Sequence, residues 1–441
     1  MHAALRPLLA AVLCCAAGWA GAAIPLQRWT QPDGAEVYLV ESPAIPMVDV
    51  QIDFDAGSRR DPAAQAGLAA VTAGQAGKGI AVSGAEPGLD ENALGEAWAD
   101  LGASFGASAG RDRMSFSLRS LTYPDLLPRA VALAARQLAA PAFDAAVWQR
   151  DRERMGAALR ESYTRPGPVA GRAFAALVYG GHPYGFEPTE QTLAAISVAD
   201  MRRLYAQAVL PCRAKVSVVG AVTRGEADAL VRQLLARLPQ ARCAPLPPVG
   251  EVPPLAKAEE RRIPFAAAQA QVLIGQPGIR RDDPDFFAML VGNHILGAGG
   301  FVSRLTHEVR EARGLSYGVS SDFAPGRHAG AFTIGLSTRA NQADQAIAVA
   351  RETLARFVAD GPTEAELQAA KDNLVGGFAL RLDSNRKLLA NVSNIAWNDL
   401  PLDYLDTWTQ RVQAVTAAQI RQTFARVLQP DRMVTVVVGG S

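Results

Sequence analysis

The feature that most limits what this chain can fold into is an internal repeat. Residues 195–220, AISVADMRRLYAQAVLPCRAKVSVVG, align without a gap to residues 414–439, AVTAAQIRQTFARVLQPDRMVTVVVG, at an offset of 219. Each copy reads as a capped amphipathic helix, a proline stop and a β-branched strand that closes on glycine. Two more echoes keep the same order. GSRRDP at 57–62 follows a strand pattern, as does GIRRDDP at 278–284. MSFSL at 114–118 precedes a helical pattern through 130–138, as FTIGL at 332–336 precedes one through 346–354. Spacing held constant on this scale means a duplicated domain, not a short solenoid repeat.

The boundaries follow. Residues 240–254, QARCAPLPPVGEVPP, are proline-rich and lack periodicity, so they read as linker. The division is residues 1–22 as a leader, 23–240 as a first domain, 241–262 as linker and 263–441 as a second domain. Each half mixes alternating strands, beginning with VYLV and VDVQIDF, with pairs of helices. That pattern gives an α+β class: two homologous domains, each a mainly antiparallel sheet covered by helices. With 441 residues the chain is long enough for both cores.

The first residues, MHAALRPLLAAVLCCAAGWAGAA, have one early arginine, an apolar run and a small-x-small site at Ala20-Gly21-Ala22. This is the pattern of a secretory signal peptide. The run falls short of the ~20 residues that a spanning helix needs, and the residues before Cys14 do not match a lipoprotein signal. The expected mature protein is exported, periplasmic if the source is Gram-negative, and not held by a membrane. Its formal charge of +1 offers no electrostatic case for nucleic acid. Cys212 and Cys243 remain after export, either as one disulfide worth roughly 3–4 kcal/mol on the chain-entropy model or as two free thiols.

Residues 296–320, LGAGGFVSRLTHEVREARGLSYGVS, read as a glycine-rich turn, a short helix and a strand. Phe301, Leu305 and Val309 form one apolar stripe, with Arg304, His307, Glu308 and Glu311 in water. Gly314 ends the helix, and Leu315 and Tyr317 alternate as in a half-buried strand. The stretch resembles the second domain of the M16 (insulinase, or pitrilysin-like) metallopeptidases, whose pattern is close to LGGGFSSRL…LREKRGLAYSV. GGHPYG at 180–185 is similar to a turn common in the family's first domain. The resemblance covers the whole two-domain layout. It implies that Arg310 and Tyr317 hold a peptide substrate and stabilise its transition state.

Catalysis in that family needs HxxEH on a helix of the first domain: two histidine zinc ligands, a glutamate base and a further glutamate ligand downstream. Alignment of residues 67–80, GLAAVTAGQAGKGI, places Ala70, Ala73 and Gly74 at the three essential positions. Between the leader and His182 the chain has no histidine and no cysteine, so no zinc site of that kind can be built there. Glu153 and Glu161 lie near the downstream ligand's place and read as solvated helix charges. His307-Glu308 lacks a second histidine at the required spacing; His182 precedes Pro183 in a turn, His294 and His328 are isolated, and all three read as structural. The glycines at 297–300 lack the Lys-Ser/Thr of a phosphate loop. The resemblance therefore implies a non-catalytic subunit with no cofactor of its own. It would contribute to peptide hydrolysis in a heterodimer with an HxxEH-bearing M16 partner that carries the zinc. The alternative is a non-catalytic peptide-binding or structural scaffold with no peptidase partner.

Overall fold

The computed structural model describes residues 24–440, so the expected leader lies outside the described residues. The first sheet contains β1 (Gln27–Thr30), β2 (Glu36–Glu41), β3 (Met47–Phe54), β4 (Ser104–Ala109), β5 (Met114–Leu121) and β6 (Lys215–Gly220), in the order β1-β2-β6-β3-β5-β4. The second contains β7 (Glu259–Ile263), β8 (Gln269–Pro277), β9 (Ser316–Phe323), β10 (Ala331–Arg339) and β11 (Val434–Val438), in the order β7-β11-β8-β10-β9. Without β1 the two orders are the same. Each has one parallel pair, β2 with β6 and β7 with β11, and is otherwise antiparallel. The repeat survives in detail. The helices Val198–Ala208 and Ala417–Val427 lie 219 residues apart, each opened by a capping box, at Ser197 and at Thr416.

Alternation explains the inner faces. In β5, Met114, Phe116 and Leu118 are buried while Ser115 and Ser117 are less so. β11, all valine and threonine, is buried along its whole length. A strand buried on both sides needs cover on both sides. That cover is reciprocal. The helix Pro166–Tyr179 leaves the first half and lies on β8 and β11, where Ala170, Phe174 and Val178 meet Val434, Val436 and Val438. The helix Asn385–Trp397 leaves the second half and lies on β2, β3 and β6, bringing Tyr38, Val40 and Val219 into the second half's core. Phe174 presses so close that a Cβ at Gly275 would stand 2.8 Å from its ring. The sequence pattern did not reveal this exchange.

Residues 240–258 carry no regular structure, but 259–263, expected mostly as linker, form β7. The reason is pairing: these residues run parallel to β11 and cover its otherwise open edge. Cys212 and Cys243 are joined by a disulfide with Cα atoms 6.0 Å apart, tying the linker to the turn before β6. Among the described residues no helix is long and apolar enough to cross a membrane.

Candidate functional site

Tyr317 stands on β9, the outer strand of the second sheet, which pairs only with β10. Its position departs from simple alternation. The register slips between Ser337 and Thr338, so that Gly318 faces Ser337, Ser316 faces Thr338, and Tyr317 between them has no partner. Such a bulge re-aims the extra side chain. Leu315 stays buried at 3%, whereas Tyr317 is 81% exposed. The even alternation of these two residues is corrected accordingly. Ser316 Oγ fills the bulge, 2.7 Å from the carbonyls of both Gly318 and Ser337.

Arg310 reaches this strand from the preceding helical turns. Its Cζ lies 4.7 Å from the Phe301 ring centre and 4.8 Å from that of Tyr317. The guanidinium is thus held between two aromatic faces, which restrains it without consuming its hydrogen-bond donors. Phe301 is itself 66% exposed, a correction to the expected stripe. Leu305 and Val309 are fully buried, but the backbone turns extended at Ser303 and puts Phe301 outside the helix. The stretch from Thr306 to Glu311 is coiled more widely than an α-helix, a form associated with functional sites. Gly297 is required where this segment meets β9, because a Cβ there would lie 2.4 Å from Ser321 Oγ.

Arg304, expected in water, is instead an anchor. It donates to both Glu366 oxygens at 2.6 and 2.7 Å and to the Gly361 carbonyl at 3.0 Å. These bonds pull the Glu366 carboxyl down to about 2, against the opposing effect of burial. His307 is exposed, and Glu308 pairs with Arg313 at 2.5 Å. Neither meets a second ligand-type group of metal geometry.

The first half presents a different picture. Ala70, Ala73 and Gly74 fall on the helix Leu68–Ala76, with Ala70 and Gly74 exposed and Ala73 buried. Asp61 fixes the start of that helix by accepting from the Gly67 and Ala69 N–H groups at 2.9 and 3.0 Å. Burial pushes its carboxyl up to about 7. The buried carboxylate of the neighbouring helix Ala145–Ser162 is Asp151, not Glu153 or Glu161, which are both exposed. Asp151 accepts from Gln75 Nε2 at 2.8 Å and pairs with Arg150 and Arg154. Methyl groups and a glycine provide no donor atoms, and the remaining carboxylate is already neutralised. The residues do not fit a zinc ion. Among the described residues no group of three or more histidine, cysteine, aspartate or glutamate side chains could hold a metal.

The histidines also differ from expectation in one respect. His328 is not isolated: its ring lies 5.1 Å from that of His182 at the contact between the halves. His182 Nε2 donates to the Gly250 carbonyl at 3.0 Å, and burial lowers the His182 pKa. Tyr184, from the HPYG turn, donates to Asp112 at 2.6 Å, and Asp112 also accepts from the Arg327 N–H at 3.0 Å. This cluster pins the β9–β10 hairpin to the first half. His294 packs on Gly299, away from the others, with its pKa lowered by burial.

Several known proteins are similar to this chain. The family model described as the peptidase M16 inactive domain matches residues 195–374. A crystal structure of a peptidase M16 inactive domain from Pseudomonas fluorescens superposes with a TM-score of 0.88 at 33% identity, covering 94% of this chain and 98% of that one. A protein of Streptomyces coelicolor named an uncharacterised zinc protease is 29% identical over 60% of this chain. That alignment spans 58% of the Streptomyces protein, less than two thirds of its length. The periplasmic protease PqqL of Escherichia coli has the same fold, with a TM-score of 0.79 at 18% identity, over 94% of this chain and 45% of PqqL.

Proposed function

This chain belongs to the M16 peptidase family, and we propose that it acts there as the non-catalytic, substrate-holding subunit of an exported heterodimeric zinc peptidase. The observation that carries the reading is the outer strand β9 bearing Tyr317 and the ring-held guanidinium of Arg310, in a chain whose first half has alanine and glycine at the positions of the zinc motif. The zinc and its base belong to a partner of similar size with HxxEH. Export, to the periplasm in a Gram-negative source, rests on the leader pattern in residues 1–22.

In this reading an unfolded peptide adds its backbone to the open edge of β9. Arg310 donates two parallel hydrogen bonds to a substrate carbonyl or carboxylate. The Tyr317 hydroxyl donates to the oxyanion formed when water attacks the scissile carbonyl, a contact worth roughly 2.7–4 kcal/mol. Neither residue makes a nucleophile. The test is to recover the tagged mature chain from its native cells and identify what co-purifies by mass spectrometry. A near-equimolar HxxEH-bearing relative is expected. Recovery of the chain alone, under conditions that keep complexes intact, would favour the scaffold alternative.

A further inference from the structure

A second concave site lies at the other end of β9. It has a volume of about 460 Å³ and is bounded by Phe286, Phe323, Tyr404 and Trp408, which is the size and character of a small-molecule pocket. Its charge is unusual. Arg281 is only 8% exposed, yet its side chain has a single protein acceptor among the described residues, the Tyr404 hydroxyl at 2.7 Å. Its Cζ sits 3.8 Å from the Phe286 ring centre and 5.3 Å from that of Tyr404. Arg381 lies over Trp408 at 5.4 Å, and Arg411 over Tyr404 at 5.8 Å. None of these three guanidinium groups has a carboxylate within 4.0 Å among the described residues.

A buried arginine stays charged and carries five donors, so leaving it without an anion is costly. The homologous half shows the usual remedy. There the buried Arg59, from the matching GSRRDP turn, pairs with Asp55 at 2.5 Å and Asp112 at 3.2 Å. Asp322 is the single carboxylate among the residues lining the pocket, and it makes no ion pair. Burial raises its pKa and no arginine opposes that, so it is not the missing counter-ion.

We propose that this pocket binds the carboxylate of an organic acid with an aromatic or bulky apolar body, Arg281 and Arg381 taking the carboxylate and the rings of Phe286, Phe323 and Trp408 the body. The acid is either a free small molecule or the C-terminal residue of a peptide. No group in this site is Arg310 or Tyr317, so the proposal stands or falls apart from the peptidase role.

The test is calorimetric titration of the whole mature chain with N-acetyl-phenylalanine, its amide, and a pentapeptide ending in phenylalanine as acid and as amide. The acids are expected to bind at least ~10-fold more tightly than the amides. Arg381→Gln, at an exposed position, is expected to bring acid binding down to the amide level. Arg281→Gln should do the same in a chain whose circular dichroism is unchanged. A pentapeptide acid that outbinds the single residue identifies a peptide C-terminus, and equal binding identifies a free small acid. Equal binding of acid and amide, no binding at millimolar concentration, or an unaffected Arg381→Gln variant would overturn the proposal.

Discussion

The two halves share a strand order and a connection pattern, but their free edges have different equipment. In the first half the edge strand is β4, and the helix Leu68–Ala76 that packs against it carries Ala70, Ala73 and Gly74. Two of its buried charges are paired within the fold: Asp151 with two arginines and Gln75, and Arg59 with two aspartates. In the second half the edge strand is β9, with Tyr317 turned outward by a bulge and Arg310 held between rings. At its far end Arg281 has no carboxylate partner among the described residues. The difference lies in the arginines: those of the first half's buried pairs face carboxylates, whereas Arg310 and Arg281 face aromatic rings.

The comparison can be broken most forcefully through the exchanged helices. Phe174→Ala removes a ring that presses on Gly275 and β11, and should cost ~3–5 kcal/mol in urea unfolding of the whole chain. An effect much below that would mean that the second sheet does not depend on the first half's helix. Next come the two buried arginines. Arg59→Met takes one arginine from Asp55 and Asp112, which keep Arg60 and the Tyr184 hydroxyl, and should cost ~2 kcal/mol, whereas Arg281→Met removes a charge that faces no carboxylate among the described residues and should cost under ~1 kcal/mol or even stabilise. Equal costs would erase the distinction between a structural and a binding arginine.

The halves should also answer pH with opposite sign. Asp61 is raised to about 7 by burial, so it binds a proton more tightly folded than unfolded. Its contribution is fully present below pH ~4 and is lost as pH rises through about 7. Glu366 is lowered to about 2 by Arg304, so its contribution is present above pH ~4.5 and is lost as pH falls toward about 2. Glu366 is part-exposed, and its share should be no more than ~1 kcal/mol. Stability curves of Asp61→Asn and Glu366→Gln, each compared with the native chain from pH 3 to 8, check both signs. The smallest effect on stability belongs to Tyr317→Phe, within ~0.5 kcal/mol, because the hydroxyl is exposed.

Much of this was legible in the sequence because duplication writes topology twice. The offset of 219 residues recurs in the helices, and both sheets follow from alternating apolar residues. The family pattern singled out Arg310 and Tyr317, which the fold brings together at the edge strand β9. What it hid is long-range. Alternation cannot show a bulge whose cause is a register slip against Ser337 and Thr338. Periodicity put Arg304 on a wet face because its partner Glu366 lies on another helix. The same limit concealed Asp151, which reads as one charge among many until Gln75 meets it. A phenylalanine directly after a glycine-rich turn was the available hint that Phe301 could leave the helical stripe and stand beside Arg310.

The most direct test of the central claim is hydrolysis of an unfolded peptide by the HxxEH-bearing partner, measured with no addition, with this chain, and with its Tyr317→Phe variant. The account predicts negligible turnover by this chain alone, strong activation of the partner on mixing, and a loss of ~10²–10³ in kcat when Tyr317 lacks its hydroxyl. A partner that turns over equally well without this chain, or a Tyr317→Phe complex as active as the native one, would contradict it.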